Sequence, residues 1–317
     1  MSFRKLLLVS LVLAPAAHAA DDLTFGANIW ANFKYNHPAG AAKTAGFDLD
    51  RAYFKANYKF SDAWFAKTTT EISRHDGTSA TKNLGVYVKN AYIQNKGMWT
   101  NGVMDFGLRQ NSYVTYFYNF TGTRWLGLGL ADTMKYIKTD DNGVAFSGDC
   151  MDKSVDYSLV IHNGLEGTTL AVTDDKLAVS GTVQYHLTKE LGLLVDDTLS
   201  TAGGTNVISA ALLAEVSMVK LAGEFTVATR PNSTADAPIA FGGTANVAFT
   251  DDYGLYGKFF TGTTAGKVYL GSSSQLSVGP TMSIVKGKVN TALVYDASMP
   301  TTGDASWDVR WQWAANF

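Results

Sequence analysis

The sequence predicts an all-β fold, a transmembrane antiparallel β-barrel of about 16 strands with an inward-folded third long loop. Three observations carry this. First, only 17% of the 317 residues are charged, against 46% hydrophobic and 12% aromatic, where an ordinary soluble domain carries about 25% charge. The mean hydropathy is still only −0.02, and after the first twenty residues no run approaches the ~18 apolar residues of a membrane helix. Second, the chain alternates apolar and polar residues with period two, as a strand between two different solvents must. Third, the connections between these runs alternate between short and long, the pattern of a barrel with turns at one end and loops at the other.

The first residues read as an export signal. Arg4 and Lys5 form a positive n-region, residues 6–14 a compact apolar run, and Ala17-His18-Ala19 a small-x-small cleavage pattern. The run is too short to span a bilayer, so residues 1–19 are assigned as a signal peptide and 20–317 as a single barrel domain. No Cys follows the cleavage site, which removes a lipid-modified N-terminus, and the single Cys of the chain removes a disulfide scaffold and any Cys-rich zinc site. Cleavage lowers the 26 Lys and Arg by two against 28 Asp and Glu. A mildly acidic exported chain is not a nucleic-acid binder.

The strands follow in order. Leu23, Phe25, Ala27, Ile29, Ala31, Phe33 and Tyr35 share one face of the first, and Trp307, Val309, Trp311, Trp313, Ala315 and Phe317 one face of the last. Between them lie runs at 52–60, 64–72, 104–110, 155–161, 177–187, 208–218, 221–227, 241–249, 276–284 and 289–295. Weaker runs fall at 86–93, 144–148, 191–197 and 253–260. The clear ones are ~9–11 residues, the length of a tilted membrane strand. Tyr58, Phe60 and Trp64 around one turn, and Phe249 and Tyr253 around another, suit interfacial girdles. Short connections are at 61–62, 188–190, 218–220, 250–252 and 286–288, and long ones at 37–46, 73–83, 164–176, 230–239 and 297–306. A secreted β-sandwich or β-helix explains neither the aromatic rims nor this alternation.

One connection is longer than the rest. Residues 111–141, third on the long-loop side, contain Tyr113, Tyr116, Tyr118, Phe120 and Trp125, with a helical turn expected at 130–137. A loop of this length is functional or disordered, and its aromatics argue for order. Because sixteen strands enclose a wide lumen, the loop is expected to fold inward and narrow it; the alternative is an outward loop packed on a neighbouring subunit.

The face opposite the apolar stripe places Lys34, Arg51, Lys55, Lys67, Arg109, Lys258 and Arg310 inward, with Glu71, Asp105, Asp156, Glu215, Glu224, Asp296 and Asp308. With Tyr113, Tyr116, Tyr118, Arg124, Asp132 and Lys135 of the loop, the cations are the candidate pore-lining and constriction residues. The early strands hold most of the basic set, an asymmetry that would bias small ions. Catalytic motifs are poor: no His pair has metal spacing and no Gly-x-Ser-x-Gly elbow occurs. Gly127-Leu128-Gly129 lacks the third glycine of a dinucleotide site. His162 and His186, near Ser158 or Ser180, could imitate a hydrolase arrangement, and Cys150 is expected in a short turn. No enzyme, cofactor or metal is expected.

Several stretches carry a resemblance. They are Asp50-Arg51-Ala52-Tyr53 through Phe60-Ser61-Asp62 to Trp64, Asn142-Gly143-Val144 through Gly148, and Asp156-Tyr157-Ser158-Leu159 with Asn163-Gly164. Over about half of the chain, mostly residues 47–165 and the last strand, it resembles bacterial outer-membrane porins of the phosphate-selective porin-like (polyphosphate/phosphate porin) group. Trp311, Trp313 and Phe317 resemble the signal read by the barrel-assembly machinery. The resemblance implies a sixteen-stranded barrel, a homotrimer and a third loop in the lumen. Phosphate-selective members line the pore with an Arg ladder and a Lys cluster. Here the loop has Arg124, Lys135 and Lys138 balanced by Asp132, Asp140 and Asp141.

The expected function is that of a diffusion porin in a bacterial outer membrane, contacting outer-membrane lipid and passing small hydrophilic solutes and ions. A substrate-specific channel, with the loop tyrosines as a stacking track for sugars or aromatic solutes, is the alternative. An outer-membrane lipid hydrolase would need a Ser–His pair on the lipid-facing side, and a structural barrel a filled lumen.

Overall fold

The computed structural model describes residues 22–74, 84–133, 137, 139–163, 177–200, 206–229, 239–262, 274–300 and 304–317. The expected signal peptide, Lys135 and most of the expected long loops lie outside these residues. Among them are β1 (Leu23–His37), β2 (Thr44–Lys59), β3 (Trp64–Arg74), β4 (Leu84–Asn95), β5 (Gly102–Gln110), β6 (Asp140–Cys150), β7 (Val155–His162) and β8 (Ala178–His186). The second half comprises β9 (Leu191–Ser200), β10 (Asn206–Val216), β11 (Val219–Thr229), β12 (Ile239–Ala248), β13 (Tyr253–Gly262), β14 (Ser274–Val285), β15 (Val289–Met299) and β16 (Ser306–Asn316). Two helices lie between β5 and β6, α1 (Ser112–Thr121) and α2 (Leu130–Thr133).

The sixteen strands form one closed antiparallel barrel, each paired with its sequence neighbours and β1 with β16. Closure leaves no sheet edge, as a sheet in hydrocarbon requires. All sixteen expected strands are present at their places. β1 and β2 are longer than expected, at 15 and 16 residues, so their connection shrinks to residues 38–43. Cys150 is the last residue of β6 and exposed, not part of a turn.

The period-two pattern sorts the side chains. Phe25 on β1, Phe106 on β5 and Trp311 on β16 stand 65%, 63% and 50% exposed on the outer face, an apolar band too extensive for a water-facing surface. Phe60, Trp64, Phe249 and Tyr253 are exposed where the short turns meet this band, the level at which amphipathic rings collect. Trp311 and Trp313 pack at 4.5 Å, and the Trp311 indole N–H donates to Thr291 Oγ1 at 2.9 Å. Buried polar residues such as Asn32, Glu71, Asp196 and Glu224 occupy the inner face.

Two of the three register shifts among the described strands involve a charged residue; the third, between Ser283 and Val285, does not. The β1–β2 register shifts between Trp30 and Ala31, leaving Asp50 unpaired. The β3–β4 register shifts between Thr69 and Thr70, leaving Lys89 unpaired. Each of these two bulges adds a charged residue to the inner set without moving the flanking apolar residues from the outer face.

Candidate functional site

The connection between β5 and β6 lies inside the barrel. Asn111 starts α1 by accepting a hydrogen bond from the Val114 N–H at 3.2 Å, satisfying one of the donors a helix start leaves open. Gly122 ends it in the left-handed conformation, φ 66°, with its N–H on the Tyr118 carbonyl at 2.9 Å. Tyr113, Val114, Phe117, Tyr118 and Thr121 fall on one buried face. This spacing in the sequence signals a helix, yet sequence reasoning missed it by reading the segment only as an aromatic-rich loop. The turn expected at 130–137 is the four-residue α2.

The face that α1 rests on is unusual for a water-filled barrel. Leu194 on β9, Val207, Ala211 and Leu213 on β10 and Ala222 on β11 point inward and form one apolar cluster with the helix. Burying a Val, Leu or Phe side chain contributes about 1.5–3 kcal/mol, so the loop is held chiefly by packing. The trace in the sequence is a lapse of alternation, at Leu191-Gly192-Leu193-Leu194-Val195 and Ala210-Ala211-Leu212-Leu213-Ala214.

Wall side chains then pin the loop backbone. Glu224 on β11 accepts from the Leu130 N–H at 2.9 Å and from the Tyr113 hydroxyl at 3.5 Å. Lys258 on β13 donates to the Leu128 carbonyl at 3.4 Å, Arg310 on β16 to Leu126 O at 3.1 Å, and Lys220 to Phe120 O at 3.3 Å. Lys258 and Arg310, expected as pore-lining charges, therefore serve as anchors. Trp125 packs against Leu126 and Tyr256 on one side and against Trp30 and Tyr53 on the other. The loop thus touches β9–β11 as well as β1 and β2.

Within the loop, Tyr118 donates to Asp132 at 2.9 Å and accepts from the Gly129 N–H at 2.7 Å. Arg124 pairs with the same Asp132 oxygen at 3.0 Å and lies 4.6 Å from the Tyr118 ring. Arg124 and Asp132 are brought together, each neutralising the other. Tyr113 and Tyr118 are 1% and 8% exposed, and burial pushes both phenols well above their ordinary pKa. These rings face the wall, which corrects the stacking-track reading for them; Tyr116 is half-buried against the same cluster.

The early strands place their expected cations inward, but most are compensated locally. Lys34 meets Asp308 at 2.9 Å, Arg51 meets Glu71 at 3.9 Å, and Arg109 meets Asp105 at 3.5 Å. Lys89, missed because the bulge hides its parity, bridges Asp140 at 2.5 Å and Glu71 at 3.5 Å. Lys55 and Lys67 differ. No carboxylate of the described residues pairs with either, and Lys67 instead lies 5.8 Å from the Tyr92 ring. The basic wall expected from the first five strands narrows to this pair.

His162 and Ser180, singled out in the sequence, do meet. Asp141 Oδ2 lies 2.9 Å from His162 Nδ1, and His162 Nε2 lies 2.7 Å from Ser180 Oγ, which contacts Thr198 at 2.8 Å. The group is on the inner wall beside a cavity of about 20 Å³, room for a water molecule. His186 stands apart, bonded to Asp156 at 2.8 Å. The hydroxyl–imidazole chain joins β6 to β9 and acts as a polar tie.

No protein-family model matches the sequence, and no curated protein matches it. Comparison with solved structures finds the same architecture. An anion-selective porin from Comamonas acidovorans superposes with a TM-score of 0.67 at 11% identity, over 93% of this chain and 99% of that one. OmpF of Salmonella typhi gives 0.66 at 11% identity, over 93% and 97%. OmpT, an outer membrane protein of Vibrio cholerae in its trimer form, gives 0.63 at 11% identity, over 93% and 99%. At these identities the likeness is one of fold: the chain has the sixteen-stranded barrel found in outer-membrane porins.

Proposed function

We propose that the chain is a porin of a bacterial outer membrane, through which small hydrophilic solutes and ions diffuse passively. The observation that supports this best is the division of the barrel wall into an apolar outer face and a mostly polar inner face around a loop laid along that inner wall. In this reading the loop sets the size limit, the short turns face the periplasm, and residues 1–19 direct export. A homotrimer is the favoured assembly, by analogy with the trimer form of the Vibrio cholerae relative in fold. The test is single-channel recording of the protein, purified from outer membrane, in a planar bilayer. A stable ohmic current is expected. Folded, heat-modifiable protein that passes no current would favour a structural barrel.

Selectivity follows from the inner charges left without partners. Lys55 and Lys67 are diagonal neighbours on β2 and β3 near the turn end, with Thr69 the register partner of Lys55 and Asn57 that of Lys67. Under a KCl gradient, the double change Lys55→Glu and Lys67→Glu is expected to move the reversal potential toward cation preference. The change should fade as salt rises, because screening lengths fall to ~3 Å at 1 M. An unmoved reversal potential at low salt would place these lysines off the conduction path.

A further inference from the structure

At the turn end of the barrel, beneath the tip of the loop, is a cavity of about 250 Å³. Trp125 lines it from the loop. Asn246 on β12, Thr281 and Ser283 on β14 and Asn290 on β15 line it from the wall, with Asp252 at the rim. From these residues we propose that the cavity is a binding subsite for a neutral polyhydroxylated solute of monosaccharide size.

Four observations lead there. Trp125 is half-buried and packed on two sides by the clusters around Tyr256 and Trp30, so a rigid indole borders the space, the kind of surface on which the C–H face of a sugar ring rests. The side chains of Asn246, Thr281, Ser283 and Asn290 make no hydrogen bond to another described residue, and Ser283 Oγ is buried without a partner. Buried polar groups otherwise find partners, so these amides and hydroxyls offer both donors and acceptors to a ligand with many hydroxyls. Among the described residues no Lys or Arg lines the cavity, so they offer an anion or a carboxylate no counter-charge. Of the two acids at the rim, Asp251 is already paired with Lys286 at 2.6 Å, so Asp252 remains as an acceptor for hydroxyls.

The subsite would lie on the route of solutes and so rests on the porin reading for its role, but its occupancy does not require current. The experiment is saturation-transfer NMR on the full-length folded protein in detergent, titrated with D-glucose. Transfer to glucose is expected for the wild type. Trp125→Ala should weaken binding by about two- to tenfold through loss of the aromatic face, with Trp125→Phe recovering part of it. Asn246→Ala with Thr281→Ala, on rigid strands away from the loop, should weaken it as well and guards against an effect of loop misfolding. No transfer to the wild type, or equal transfer to all variants, overturns the subsite. A conducting channel without glucose binding fails only the subsite, whereas glucose binding by a barrel that passes no current fails only the porin reading.

Discussion

Excising residues 113–135, with a short Gly-Ser bridge between β5 and β6, is expected to raise single-channel conductance several-fold. The loop runs along the inner wall from the apolar patch on β9–β11 to Trp30 and Tyr53, so its removal should clear cross-section that no strand supplies. The barrel should still close, because its hydrogen-bond ladder is independent of the loop. Its heat-modified transition should fall, since Leu194, Val207 and Leu213 lose their cover and each such side chain is worth about 1.5–3 kcal/mol. A milder variant separates packing from anchoring. In Glu224→Leu the Leu130 N–H and Tyr113 hydroxyl lose their acceptor, at a cost of about 1–3 kcal/mol, and conductance noise should rise without the full gain of the deletion. Unchanged conductance in the deletion would mean that the loop does not limit flow.

Replacing Phe317 with Ser is expected to abolish most assembly into the outer membrane while leaving refolding in detergent near normal. The reason lies in a separation of roles. The Phe317 ring is 77% exposed on the outer face and covers little of the barrel. Its backbone pairs with Ala27 in both directions, at 2.8 and 3.2 Å, and these bonds do not depend on the side chain. A substitution therefore removes what an assembly factor would read and keeps what closes the sheet. Normal insertion in cells would rule out the signal role; failed refolding in detergent would move the effect to stability.

Much of this architecture could be read from the residues because a strand between lipid and water has to alternate. The parity of Trp307 to Phe317 or of Leu23 to Tyr35 is set by two solvents, and every expected inward cation that the structure describes on a strand does point inward. Local pattern failed where the constraint came from elsewhere. Lys89 escapes a parity reading because a bulge shifts the phase between Val88 and Asn90. The helix α1 shows its stripe in the sequence, but the patch on β9–β11 that this stripe covers lies far along the chain and is not signalled locally. The roles of Lys258 and Arg310 depend on carbonyls of Leu128 and Leu126, and the pairing of Arg124 with Asp132 on the loop's own fold. Side-chain type and spacing say which face a residue takes, not which partner waits there.

The seam between β1 and β16 has a consequence for how such a chain reaches its final form. Every other strand pair joins neighbours in sequence, whereas Asn28 meets Asn316 across 288 residues. Fifteen hairpin-type pairings can zip one after another with little entropy lost at each step. The last must gather the two ends of an already curved ribbon, and the cost of that closure grows with the logarithm of the span. Non-local pairing of this kind governs folding speed. The Lys34–Asp308 ion pair and the Asn28–Asn316 contact stand on this one joint, so the closure with the longest loop to gather has its own small set of polar fasteners.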